Sequence, residues 1–164
     1  MVAEVVEMVA RRNLDFCCLQ ETKWKGEGAR SIEGGGRKYK FFWKGCKDGV
    51  SGVGVLVAEK WIQHVVEVCR INERIMVVKI ALGKRVFSII SAYAPQKGRI
   101  EKEKEKFWAA MSEALSLVKS EESLFLGGDL NGHVGEKAVD YSGVHMGKEI
   151  LKVKDCWSLQ WLWI

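Results

Sequence analysis

The chain contains a single proline, Pro95, in 164 residues, so no proline-rich linker divides it. No internal repeat and no second domain is visible, and one domain is the default for this length. Its five cysteines (Cys17, Cys18, Cys46, Cys69 and Cys156) are an odd set without a C-x-x-C pair. They give no disulfide framework, and a reducing compartment fits them best. No uncharged apolar run approaches the roughly 18–20 residues of a membrane span, which leaves no membrane partner to expect. The first twelve residues carry Glu4, Glu7, Arg11 and Arg12 instead of the apolar core of a signal peptide. The expected location is intracellular, nuclear or cytoplasmic, and not secreted. A nucleotide-binding loop is missing too. The glycine-rich stretch from Lys25 to Lys38 has no G-K-[ST] ending and no helix pattern after it, so it reads as a surface loop.

What is present is ample for a core. Hydrophobic residues make up 48% of the chain, with seven Trp and six Phe, which excludes a disordered chain. Lys and Arg number 26 against 21 Asp and Glu, a net charge of +5. That mild excess is compatible with a polyanion such as nucleic acid.

Residues 2–12 have the pattern of an amphipathic helix that stops at Asn13, and Leu14 to Leu19 that of a short buried strand. Further strands are predicted at Tyr39–Trp43, Ser51–Ala58, Val65–Arg70, Arg74–Ala81 and Arg85–Ala92. Pro95 pushes Ala94 to extended geometry and leaves Tyr93 at a strand end facing a loop. Lys97 to Lys119 is the one long helix, with Phe107, Trp108, Met111, Leu115 and Val118 as its buried stripe. Leu124-Phe125-Leu126 is apolar without alternation, as expected of a strand covered on both faces.

The chemistry gathers at strand ends. Glu21 follows the first strand, Tyr93 ends a later one, and Asp129 and Asn131 stand two apart after Gly127-Gly128. Residues two apart on extended backbone point the same way. A carboxylate beside an amide suits hard-cation or phosphate chemistry. Each residue alone has a bland reading as a turn or rim residue. Together they meet what water needs to cut a phosphodiester: a cation to offset charge, a group to orient the water, and donors for the phosphate. Glu21 suits the metal, Asp129 the water, and Asn131 and Tyr93 the phosphate.

Leu19-Gln20-Glu21-Thr22-Lys23, Tyr93-Ala94-Pro95 and Gly128-Asp129-Leu130-Asn131, in that order, resemble the endonuclease/exonuclease/phosphatase superfamily. The longer runs Cys17–Trp24, Ser91–Gln96 and Gly127–Gly135 are most similar to endonuclease domains of non-LTR (LINE-type) retrotransposons. They are similar also to the craniofacial development protein 2-like group. The resemblance implies an incomplete four-layer αββα sandwich, an α/β (α+β) fold, over residues 1–150, with a divergent apolar tail at 151–164. It implies Glu21 as the Mg²⁺ ligand (Mn²⁺ being an alternative), Tyr93 as a phosphate-positioning residue and Asp129 as the residue handling the nucleophile. Asn131 would stabilise the phosphate and orient Asp129. DNA, through its phosphate backbone, is the implied partner.

The family's first strand with its metal-binding Asn, and its later Asp and Ser-Asp-His segments, have no counterpart here. His133 and His145 read as surface residues. The expectation is therefore a truncated, impaired Mg-dependent DNA endonuclease. A non-catalytic nucleic-acid-binding or interaction protein using Trp157, Trp161 and Trp163, a non-functional remnant, and a phosphatase of the same fold are the alternatives. The stretch after Leu151 fits the family's next helix running into an altered end.

Overall fold

The computed structural model describes residues 2–96, 98–131 and 161–163. Helix α1 (Val2–Arg11) precedes strands β1 (Phe16–Gln20), β2 (Glu27–Gly34), β3 (Arg37–Gly45) and β4 (Gly52–Ala58). A 3-10 turn at Glu59–His64 leads to β5 (Val65–Asn72), β6 (Ile75–Leu82) and β7 (Arg85–Tyr93). Helix α2 (Glu101–Ser116), β8 (Ser123–Asp129) and β9 (Trp161–Trp163) follow.

The strands form two sheets, ordered β2-β3-β4-β1-β9 and β5-β6-β7-β8. They pack face to face. Phe16, Cys18, Val53, Val55 and Val57 of the first meet Met76, Val78, Ile80, Phe87 and Ile89 of the second. On the outer face of the first sheet, Cys17, Leu19 and Leu56 lie under Val2, Val6 and Val9 of α1. On the outer face of the second, Ile75, Val77, Ile90 and Ala92 lie under Phe107, Ala110, Met111 and Ala114 of α2. The layers are helix, sheet, sheet, helix, as the family resemblance implied. β1 reads as an unbroken apolar run because both its faces are covered.

Local rules set the entry into β1. Asn13 adopts a left-handed φ of 54°, and its N–H donates to the Ala10 carbonyl at 2.9 Å while that of Leu14 donates to Val9 at 3.0 Å. This is a Schellman ending, with Leu14 and Val9 together in the core under α1.

Three expectations are corrected. Lys25 to Lys38 is not a loop: β2 and β3 form a hairpin across it, turning at Gly35-Gly36 with φ of 56° and 73°. Two consecutive positive φ values are the requirement of a type I′ turn. β2 is the sheet edge and largely exposed, so no apolar alternation marked it. Helix α2 is shorter than 97–119, and its buried face is Phe107, Ala110, Met111 and Ala114, while Trp108 is 56% and Leu115 42% exposed. Small Ala110 and Ala114 face the sheet, which turns the stripe by about 60° from the predicted one while Phe107 and Met111 stay in it. β8 is not covered on both faces, because Leu124 and Leu126 are each 42% exposed at the end of the second sheet. In the tail, residues 161–163 are a strand, parallel to Phe16–Cys18 of β1. His133, His145, Trp157 and the expected helix after Leu151 lie outside the described residues. Among the described residues no helix is long and apolar enough to cross a membrane.

Candidate active site

Three strand ends meet at one edge of the sandwich. β1 hands Glu21 out of the first sheet. β7 and β8 run parallel in the second, with Tyr93 in register with Asp129. The ladder continues one step further, the Ala94 N–H donating to the Asp129 carbonyl at 2.8 Å. Close approach of the two strands depends on Gly128, where a Cβ would fall 2.1 Å from the Ala92 carbonyl oxygen. The glycine pair thus does not turn the chain. It lets β8 lie tight against β7, so that Asp129 stands beside Tyr93.

The gap between the sheets is bridged here by one hydrogen bond. The Tyr93 hydroxyl donates to Glu21 Oε1 at 2.5 Å. Tyr93 is buried and Glu21 exposed. Burial first, then the Glu21 carboxylate, pushes the phenol up to about 12, with the Asp129 charge adding to the effect and Arg74 opposing it. Tyr93 is therefore a neutral donor throughout the physiological range. Asp129 Oδ1 accepts the backbone N–H of Asn131 at 2.8 Å, and Asn131 Nδ2 donates to the Ala94 carbonyl at 2.7 Å. The backbone N–H of Asn131 thus contacts Asp129, and the Asn131 side chain is tied to the end of β7. All four residues singled out in the sequence are brought to this edge.

Backbone geometry marks the same place. The described non-glycine residues with positive φ are Asn13, Glu21, Lys23 and Asn131. Asn13 ends α1; the other three line the mouth, with φ of 50°, 56° and 47°. Glu and Lys gain nothing local from this conformation, and such strain concentrates at functional sites. Between Glu21 and Lys23, Thr22 is buried and its N–H donates to the Gly52 carbonyl at 3.2 Å.

Among the described residues no cluster of three or more His, Cys, Asp or Glu side chains forms a metal cage. The mouth offers few, hard, oxygen donors: the Glu21 carboxylate, with Asp129 and the Asn131 amide on the facing sheet. Such a set suits Mg²⁺ or Mn²⁺, which need one or two carboxylates and keep several waters, and does not suit a nitrogen- and sulfur-bound zinc.

Sequence reasoning missed Arg74. Its guanidinium lies 5.2 Å from the centroid of the Tyr93 ring, and Nη1 donates to the Tyr93 carbonyl at 3.3 Å. The signal was available: a hairpin turning tightly at Leu82-Gly83-Lys84 pairs Ile75 with Ala92 and so sets Arg74 opposite Tyr93. Behind the mouth, Gln20 Nε2 donates to Ser91 Oγ at 3.4 Å and Ser91 Oγ to the Leu19 carbonyl at 3.4 Å, further links between the sheets.

No protein-family model matches the chain, and no characterised protein matches it in sequence. Among solved structures the fold is similar to AP endonuclease LMAP from Leishmania major, with a TM-score of 0.55 and 14% identity over 79% of this chain and 50% of that one. It is similar also to truncated TDP2 from Caenorhabditis elegans, with a TM-score of 0.51 and 15% identity over 80% of this chain and 55% of that one. The chain spans about half the length of either structure. At these identities the likeness is one of fold: the αββα sandwich of the endonuclease/exonuclease/phosphatase type.

Proposed function

We propose that this domain is a Mg²⁺-dependent phosphodiesterase acting on DNA, an endonuclease domain of non-LTR retrotransposon descent with slow turnover. The observation that carries the reading is the meeting of Glu21, Tyr93 and Asp129 at one edge, with the Tyr93–Glu21 hydrogen bond spanning the two sheets. The similarity of fold to an AP endonuclease and the sequence resemblance to retrotransposon endonucleases favour DNA over a small phosphoester.

Glu21 would hold the cation, which when bound offsets charge on the non-bridging phosphate oxygens. Asp129 is the proton acceptor for the attacking water. Its Oδ1 is held by the Asn131 N–H, leaving Oδ2 to face the nucleophile. The second N–H of the Asn131 amide is a donor for a phosphate oxygen, and the Tyr93 hydroxyl, whose single hydrogen goes to Glu21 here, becomes one when Glu21 turns to the cation. Departure of the leaving oxygen needs a proton. Among the described residues no histidine reaches the mouth: His64 packs beside Trp61 in the 3-10 turn. Tyr93, pushed up to about 12 by burial and the Glu21 carboxylate, would be a weak acid for the task, in keeping with the slow turnover proposed.

The test is nicking of supercoiled plasmid by the purified protein in Mg²⁺, with EDTA and Glu21→Ala controls. Metal-dependent nicking lost in Glu21→Ala is the expected result. Folded protein that nicks no better than the variant leaves the catalytic reading without support and favours a binding role.

A further inference from the structure

The connection from β1 to β2 alternates with respect to the protein surface. Glu21, Lys23 and Lys25 are exposed, while Thr22 is buried and Trp24 half-buried. Trp24 is wedged edge-on between Phe41, at 5.1 Å between ring centroids, and Trp43, at 4.7 Å. Backbone bonds pin the rest. The Trp43 indole N–H donates to the Lys25 carbonyl at 3.3 Å, and the Gly45 N–H to that of Gly26 at 2.7 Å. A third lysine joins from the β3–β4 loop. Gly49 of that loop lies close enough that a Cβ on it would meet the Lys23 carbonyl at 3.2 Å and the stem of Lys25 at 3.5 Å, and Lys47 is exposed two residues earlier. None of Lys23, Lys25 and Lys47 has a carboxylate within 4 Å among the described residues, whereas neighbouring Lys44 is paired with Glu27 at 2.6 Å.

We infer that Lys23, Lys25 and Lys47 form a fixed track for the phosphate backbone of a nucleic-acid strand, leading away from the site at Glu21. The inference rests on the reading of that site as a phosphodiesterase centre, and it adds the direction in which substrate extends. A small phosphoester would be complete at Glu21, Tyr93 and Asp129 and would leave these cations idle; a polymer presents further phosphates to them. The lysine side chains still lose rotamer freedom on binding, but the backbone that carries two of them is already pinned, so no loop-ordering cost is added. The positive φ of Lys23 has the same reading: the chain is bent at some energetic cost so that Thr22 and Trp24 anchor while the lysines stay out.

The experiment measures binding of a fluorescein-labelled DNA duplex by anisotropy in EDTA, across a salt series. It compares the wild type with Lys23→Gln, Lys25→Gln, Lys47→Gln, the triple variant, and Lys119→Gln at the opposite end of the sandwich. Each phosphate contact contributes about 0.9 to the slope of log affinity against log salt. The expected result is a slope reduced by about 0.9 for each track lysine removed, and unchanged in Lys119→Gln. Circular dichroism confirms that the variants fold. A triple variant with the wild-type slope, an equal effect from Lys119→Gln, absent binding by the wild type, or lysine-dependent binding to phosphatidylserine vesicles but not to the duplex would each overturn the inference. Glu21-dependent nicking with a lysine-independent slope removes the track and leaves the site reading; lysine-dependent binding without nicking does the reverse.

Discussion

The same strands carry charge at both ends of the sandwich, and the two ends treat it in opposite ways. At the end away from the mouth, charges are matched around buried partners. Asp15, just before β1, is 2% exposed and meets Arg37 at 3.2 Å and Lys60 at 3.0 Å. Lys79 on β6 donates to the Leu117 carbonyl at 2.6 Å and to Glu122 at 3.1 Å, and Ser88 on β7 donates to the other Glu122 oxygen at 2.5 Å. That cluster ties the end of α2 to the start of β8. At the mouth, Glu21, Asp129, Lys23 and Lys25 are exposed, make no ion pair among the described residues, and sit on or beside left-handed backbone. Closed charges hold the layers together. Apart from the Tyr93–Glu21 hydrogen bond, the open charges and the strain add little to folding, and a chain keeps them where they serve another purpose.

The largest expected effect lies at the open end and is on activity, not stability. Asp129→Asn should lower plasmid nicking by about 10² to 10⁴, the range for a positioned acid–base group. Its folding stability, read from urea denaturation, should stay within about 0.5 kcal/mol of wild type, as for a surface change. A larger stability loss would show that the mouth is structural after all, and the contrast between the ends would fail.

Glu122→Gln should do the opposite. Removing the Glu122 charge leaves Lys79 with the exposed Glu67 carboxylate at 3.5 Å and the Leu117 carbonyl, so the loss should be smaller than the about 3–5 kcal/mol of a stranded buried charge, with the nicking site intact. The pH dependence sharpens the test. Burial works against the Glu122 carboxylate, but the Ser88 hydroxyl and Lys79 ammonium outweigh it, so the carboxyl titrates below its ordinary value in the folded protein. A lowered folded value means the stabilisation is complete above the ordinary carboxylate range and is lost as pH falls through the folded value. The gap between wild type and Glu122→Gln should thus be full at neutral pH and close in acid. A gap independent of pH would remove the ion pair as its cause.

Gly128→Ala falls between the two ends in kind. A methyl 2.1 Å from the Ala92 carbonyl oxygen must push β8 off β7. The expected cost is about 1–3 kcal/mol, that of an overpacked site. Because the same displacement moves Asp129 from Tyr93, nicking should drop as well. Loss of stability with full activity would mean that the Tyr93–Asp129 register is not what the glycine protects.

These contrasts also explain what could be read from the sequence. The mouth residues were legible because buried apolar strands announce themselves and their polar ends stand out: Glu21 after Phe16–Leu19, Tyr93 before Pro95. The β2 edge was illegible because a strand exposed on most of its length needs no apolar alternation. Trp108 and Leu115 misled because helix α2 packs through alanines, which a stripe of large residues hides. The Lys79–Glu122 pair was invisible for a different reason: its members are 43 residues apart, and only the folded sheet shows that they meet. Arg74 could have been found, since the hairpin register fixes its partner.

The smallest effect concerns the thiols, and it separates mouth from core within one residue type. Cys46 opens the β3–β4 loop that carries Lys47, and its sulfur accepts the N–H groups of Val50 at 3.3 Å and Ser51 at 3.4 Å. Hydrogen bonding by Ser51 lowers this thiol to about 7. Burial drives Cys18 up to about 12 and Cys17 further in the same direction. Since the thiolate is the nucleophile, iodoacetamide should modify Cys46 first among the four described thiols, with a rate that rises through about pH 7 and then levels. Cys17 and Cys18 should react only on unfolding. Peptide mass spectrometry over a pH series reads this directly. Alkylation removes two N–H bonds from a loop on the rim and nothing from the core, so the modified protein should keep its unfolding midpoint. Early modification of Cys17 or Cys18 at neutral pH would show instead that β1 opens readily, and that its covered faces do not anchor the mouth as the packing implies.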